Sequence, residues 1–172
     1  FIYFEFGEKC AKMVGLDLPQ FVSAIVLAII TAEAIRLKFS ITIFGQREYE
    51  AHQVSALAWG AIGIGLVMLM APNKAYAWPL ILSLSLGDPL MGELRRKGFE
   101  DKQVMIYSTI AIAVIWLACW HFFATPLWLV PLMAPLCMIS EWPRLRWIDD
   151  NATMVLIPLC TILLLDPFIG LL

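Results

Sequence analysis

Charge is scarce in this sequence. Its 172 residues include 12 Lys and Arg and 14 Asp and Glu, 15% in all, where an ordinary soluble domain carries about 25%. The net charge of −2 excludes nucleic acid and other polyanions as natural partners. Cysteine is sparse as well. Cys10, Cys119, Cys137 and Cys160 form no C-x-x-C pair, so the ligand spacings of a zinc site or a disulfide framework are absent. Three of the four lie in apolar runs, where Cys acts as a small buried hydrophobe. No signal peptide with a small-residue cleavage site opens the chain. Position 1 is Phe rather than Met, which reads as a processed chain or as part of a longer one.

Apolar residues are abundant instead. They make up 61% of the chain, with a mean hydropathy of +0.81. A soluble fold of this length could not bury so much apolar surface. Lipid can act as the solvent, because a spanning helix satisfies its own backbone hydrogen bonds. A span needs about 20 mostly apolar residues, fewer where the helix is broken. Six runs qualify: Leu18–Ile35, Val54–Ala71, Ala75–Met91, Val104–Phe123, Pro126–Ile139 and Ala152–Leu165. Gly87-Asp88-Pro89 interrupts the third. The expected fold is all-α, a polytopic transmembrane bundle of six spans with a broken third helix, forming one domain over residues 1–172. Residues 1–17 mix aromatics with Glu5, Glu8, Lys9 and Lys12 and read as an interfacial helix or as the tail of a further span. Trp59, Trp78, Trp128, Trp142 and Trp147 sit near segment ends, as interfacial anchors do.

The second run is rich in glycine, but no strand precedes it, so it is a poor nucleotide loop. Its small residues four apart, Ala56/Gly60 and Ala61/Gly65, suit close approach of two helices.

Six spans put the connections on alternating sides. Residues 36–53, 87–103 and 140–150 share one side, and with them Arg36, Lys38, Arg47, Arg95, Arg96, Lys97, Lys102, Arg144 and Arg146. Only Lys9, Lys12 and Lys74 fall on the other. The positive-inside rule makes the first side cytoplasmic. Ten acidic residues follow the same division, which that rule does not explain. Charge of both signs on one face marks a polar site.

Three stretches carry that site. The first is Glu33-Ala-Ile-Arg36 with Arg47-Glu-Tyr-Glu50-Ala-His52-Gln-Val-Ser55. The second is Gly87-Asp88-Pro89-Leu-Met-Gly92-Glu93-Leu-Arg95-Arg96-Lys97. The third runs from Glu141 through Arg144 and Arg146 to Asp149-Asp150-Asn151, with Pro158 downstream. An acid beside a broken helix near membrane depth, as at Asp88, is a functional candidate; an ordinary helix end is the plainer reading. Asp149 and Asp150 suit Mg²⁺, which takes one or two carboxylates with phosphate oxygens; a helix cap formed by Asp150 or Asn151 is the structural alternative. Arg95, Arg96 and Lys97 match phosphate oxygens or serve as topology determinants. His52 is a proton shuttle or a loop histidine without a role.

Together these stretches resemble the CTP-dependent polyprenol and lipid kinases (dolichol kinase, phytol kinase and a CTP-dependent diacylglycerol kinase), relatives of phosphatidate cytidylyltransferase. The resemblance covers about residues 33–158. It rests on Glu33/Arg36, on Arg47/Glu50/Ser55, on Gly87-Asp88 with Gly92, and on Asp149-Asp150-Asn151 with Pro158. It implies phosphoryl or cytidylyl transfer from CTP to a prenyl or acyl lipid alcohol or lipid phosphate at the cytoplasmic boundary. It further implies Asp88, Asp150, Arg47 and Glu50 as catalytic residues, and Arg95, Arg96, Lys97 and Asn151 as nucleotide contacts. Asp88, Asp149 and Asp150 would be ligands of Mg²⁺. The family's lysine-glycine stretch between G-D and D-D-N is replaced here by Lys97-Gly-Phe-Glu-Asp-Lys-Gln103. A catalytically inactive homologue, serving as a structural subunit of a larger membrane complex, is therefore the alternative expectation. A small transporter is a third, weakened because no inverted repeat is visible.

Overall fold

The computed structural model describes residues 5–41, 51–142, 145 and 147–169, and every regular element among them is helical. In chain order these are α1 (Gly7–Met13), α2 (Leu18–Lys38), α3 (Ala56–Met70), α4 (Lys74–Leu82), α5 (Asp88–Arg96), α6 (Asp101–Phe123), α7 (Val130–Ile139) and α8 (Asp150–Ile169). A π-helical segment, Ser83–Gly87, joins α4 to α5, and a 3₁₀ turn, Leu127–Leu129, leads into α7.

Local signals set the boundaries. The Asp17 carboxylate accepts the Gln20 N–H at 2.8 Å, and the Gln20 side chain accepts the Asp17 N–H at 3.1 Å. That capping box starts α2. Ser55 and Asn73 cap α3 and α4 through their side-chain oxygens, satisfying N–H groups that a helix start leaves open. Gly98, at φ +82°, turns the chain between α5 and α6, a conformation glycine adopts without strain.

Leu18–Lys38, Asp101–Phe123 and Asp150–Phe168 are long and apolar enough to cross a membrane, while Ala56–Met70 and Leu127–Ile139 are shorter apolar helices. This is consistent with an integral membrane protein. Large apolar side chains face outward along these helices, among them Leu27, Ile30, Ile106, Ile110, Val114 and Leu164, as expected where lipid is the solvent.

The third apolar run differs from expectation. Backbone helicity continues from Lys74 through Arg96 without a gap at Gly87-Asp88-Pro89. Proline lacks an N–H and its ring clashes with the carbonyl four residues earlier. The π segment occupies the turn just before Pro89, so the widened ladder takes up the proline where a break was anticipated.

The tightest core lies among α4, the π segment, α6, α7 and α8. Ile81, Ile112, Trp116, Met133, Met154 and Ile162 are fully buried there. The Trp116 indole N–H donates to the Ser83 hydroxyl at 3.0 Å, so the one polar group of that large ring is satisfied. The Thr125 hydroxyl donates to the Ala75 carbonyl at 2.7 Å and ties the α6–α7 turn to the start of α4.

α2 stands apart from this core, with 11% of its apolar window buried against 39% for α8. It packs on α1 and α3. Glycines on α3 govern that approach: a Cβ at Gly65 would lie 2.3 Å from Val26 Cγ2 on α2, and one at Gly63 would meet Val155 on α8 at 3.6 Å. The closest packing therefore belongs to Gly63 and Gly65, and Ala56, Gly60, Ala61 and Gly65 border a cavity.

Gly65→Ala is expected to lower thermal stability in detergent by about 1–3 kcal/mol, because Val26 is β-branched and cannot swing away. Gly92→Ala, where a Cβ meets nothing within 4 Å, should be neutral or stabilising by up to about 1 kcal/mol. Equal effects at the two positions would refute this account of the α2–α3 contact.

Candidate functional site at the polar end of an apolar cavity

The first stretch builds a clasp. Glu33 and Arg36 are both buried, one turn apart on α2. The Arg36 guanidinium donates to both Glu33 oxygens, at 2.9 and 2.8 Å. It also donates to the Ile41 carbonyl at 3.0 Å and to the Gln53 carbonyl at 2.7 Å. Glu33 Oε1 accepts the Ser55 N–H at 2.6 Å. One ion pair thus ties the end of α2 to the start of α3 and gathers both ends of their connection. Charges so buried are tolerable only when paired and hydrogen-bonded, and these are both.

The third stretch opens α8 beside the start of α3. The Asp149 carbonyl accepts the Ala152 and Thr153 N–H groups, which begins the helix. The Asp149 and Asp150 carboxylates each accept the Asn151 N–H at 3.1 Å. The capping expectation is met in that form: the acids receive the bond and Asn151 donates it. The Asn151 side-chain amide reaches the Ala56 carbonyl at 3.4 Å. A Cβ at Gly60 would lie 3.9 Å from both Asn151 Cβ and Leu84. These contacts set α3 and α8 parallel, with their N-termini side by side.

Next to them lies a cavity of about 710 Å³. Its walls are one face of α2 from Leu18 to Ile29 and one face of α3 from Ala56 to Met68. Ser85, Asp88, Pro89 and Asn151 line it near the α3 N-terminus, and Phe6, just before α1, and Gly7 and Cys10 of α1 line it near Leu18. Among the described residues that line it, Asp88 is the only charged one. Asp88 and Asn151, from separate stretches, therefore both line this cavity.

The second stretch divides after Asp88. Arg95 turns inward and donates to Glu141 at 2.6 Å, joining the end of α5 to the end of α7. Its guanidinium is held above its ordinary pKa first by that hydrogen bond, against burial, with added pull from the charges of Glu141, Asp101 and Asp150. Among the described residues, Arg95 Nε and Glu141 Oε2 are buried and find no hydrogen-bond partner. Arg96 and Lys97 turn outward and pair with Glu93 at 2.8 and 3.6 Å. The three basic residues do not form one cluster.

Arg47 and Glu50 lie outside the described residues. His52 is exposed. Among the described residues, no group of three or more His, Cys, Asp or Glu side chains is placed to hold a metal ion. Any Mg²⁺ at this end would need phosphate oxygens to complete its shell. Two features had no expectation: the cavity, and the role of Glu141. The small residues of α3 were the signal for the cavity, read as helix packing alone. Glu141 pairs with a residue 46 positions away, a distance no local pattern spans. Comparison with protein-family models, curated proteins and solved structures finds no match.

Arg36→Met leaves Glu33 buried without its counter-charge and should destabilise the fold by about 3–5 kcal/mol. Combining it with Glu33→Leu should recover part of that loss. A double-mutant cycle of chemical unfolding in detergent reads the coupling, and additive effects would contradict the clasp.

Proposed function

We propose that this chain is a membrane-embedded, CTP-dependent phosphotransferase or cytidylyltransferase for a lipid alcohol or lipid phosphate, a six-span bundle with residues 36–53, 87–103 and 140–150 facing the cytoplasm. The observation that supports this reading is the cavity itself. Its long walls are apolar, and its polar residues gather at one end, where Asp88 and Asn151 are joined by the N-termini of α3 and α8. A lipid entering from the bilayer keeps its chain against α2 and α3 and presents its head group to Asp88 and Asn151. Partial positive charge at two adjacent helix N-termini favours an anionic oxygen there.

Phosphoryl transfer needs positioning and charge neutralisation more than covalent chemistry from the protein. Among the described residues, Asp88, Asp149 and Asp150 do not together form a three-ligand metal group. In this reading Mg²⁺ would therefore come with the CTP phosphates, would take only part of its shell from one or two of these carboxylates, and would supply charge neutralisation. Asp88 orients the lipid head group, and Asn151 holds the α8 start against α3. Arg95 lends positive potential toward Asp150, while Arg96 and Lys97 contribute only a surface field. Arg47 and Glu50 are assigned to this reading by the family resemblance alone. Whether a lipid alcohol accepts a phosphoryl group or a lipid phosphate accepts a cytidylyl group depends on the substrate, and the same residues serve both.

A second reading is favoured by the ion pairs. Arg95 is held by Glu141, and Arg96 and Lys97 by Glu93. A homologue that had lost transfer and kept the bundle as a subunit of a larger membrane complex would retain such pairs.

Purified protein incubated with labelled CTP, Mg²⁺ and a panel of prenyl alcohols, diacylglycerol and phosphatidate separates the two readings. The enzyme transfers label, and Asp88→Asn or Asp150→Asn lowers the rate by on the order of a hundredfold, the scale of one lost preorganised electrostatic contact. Absence of both transfer and CTP binding overturns it in favour of the subunit.

A further inference from the structure

The cavity has two ends of opposite character, and its apolar end is bordered by a separate element. α2 and α3 run antiparallel: Glu33 meets Ser55 at one end, and Val22 and Val26 meet Gly65 further along. Leu18 and Met68 therefore lie at the end away from Asp88. There α1 lies across the cavity with Phe6, Gly7 and Cys10 on its wall.

α1 is fixed in that place. A Cβ at Gly7 would come within 3.1 Å of Leu18 Cδ1, so α1 sits close against the first turn of α2. The Leu16 N–H donates to the Ala11 carbonyl at 2.9 Å and closes the turn between the two helices. Lys74 Nζ reaches Glu8 at 3.1 Å and links α1 to the start of α4. That pair is exposed and adds little stability.

From Ala56 to Met68 the wall of α3 extends about 18 Å at 1.5 Å per residue. One leaflet of a hydrocarbon core is roughly 15 Å deep, half of about 30 Å. The volume of about 710 Å³ falls within the range of roughly 300–1,000 Å³ that holds a single ligand of modest size. Ala56, Gly60 and Ala61 keep the α3 wall thin.

We propose that α1 is a chain-length stop, and that the cavity takes a lipid with one slender hydrocarbon chain about a leaflet long, its hydroxyl or phosphate head at Asp88 and Asn151. Chains much longer than the cavity meet Phe6 and Cys10 and must fold back or unseat the head group. This deepens the proposed lipid substrate into a size class and rests on that reading for the reaction, though not for binding.

The test uses the whole chain in nanodiscs, without nucleotide. Straight-chain and isoprenoid primary alcohols of increasing length are added at equal mole fraction, and bound lipid is counted by native mass spectrometry. Bilayer tails are as apolar as the cavity wall, so added methylenes gain little. Occupancy is expected to stay level with length and then fall by about tenfold or more once the chain exceeds roughly 18 Å. Phe6→Ala should move the cut-off to longer chains, and Cys10→Phe should move it to shorter ones. Gly60→Phe should reduce binding at every length. Absence of a cut-off, a cut-off unmoved by both α1 variants, or binding indifferent to Gly60→Phe overturns the proposal. A length cut-off in a protein that transfers nothing from CTP defeats the enzyme and spares the stop. Transfer with no length preference does the reverse.

Discussion

Two buried charges near the end of a lipid-facing helix require partners, and Glu33 and Arg36 supply them to each other. The remaining donors of Arg36 and the free lone pairs of Glu33 are then spent on the backbone at Ile41, Gln53 and Ser55. The position of α3 against α2 follows from that pair. Ser55 must be in place for the Glu33 carboxylate to be satisfied, and Ser55 is also the cap that starts α3. Once α3 starts there, its carbonyl at Ala56 is available to Asn151, and α8 begins beside it. The polar end of the cavity is a consequence of that order of contacts.

The same arrangement explains why a cavity persists beside a dense core. Gly63 and Gly65 draw α3 onto α8 and α2 at two points, and the face carrying Ala56, Gly60 and Ala61 has too little side-chain volume to fill what lies between. On the other side Trp116, Met133 and Met154 fill the space among α4, α6, α7 and α8. A bundle solvated by lipid gains little from closing an apolar void, since a lipid tail fills it as well as a side chain. Bulk is concentrated among α4, α6, α7 and α8, and space is left beside α2 and α3.

Much of the helical layout was legible in the residues. The apolar runs Leu18–Ile35, Val54–Ala71, Val104–Phe123 and Pro126–Ile139 gave elements whose ends fall within a few residues of those observed. That legibility has a local cause, because caps and runs act within one turn. The Gly87-Asp88-Pro89 break was misread: a π turn takes up the proline, and nothing in the letters distinguishes a wider turn from a gap. Asp88 was recognised as a candidate from its context and Asn151 through the family resemblance, and both line one cavity. The pairing of Arg95 with Glu141 was not legible. It depends on how α5 and α7 end relative to each other, which is tertiary information, and it removes Arg95 from the expected phosphate cluster.

The central claim is that Asp88 and Asn151 cap one end of a lipid-chain site whose other end is α1. Photolabelling tests it most directly, using two versions of one lipid alcohol in nanodiscs, one with a diazirine at the chain terminus and one beside the hydroxyl. Peptide mapping should put the terminal label on α1 around Phe6 and Cys10 and the head-group label on residues around Asp88 and Asn151. Labels from both versions spread along the outward faces of α6, with none on α1, would contradict it.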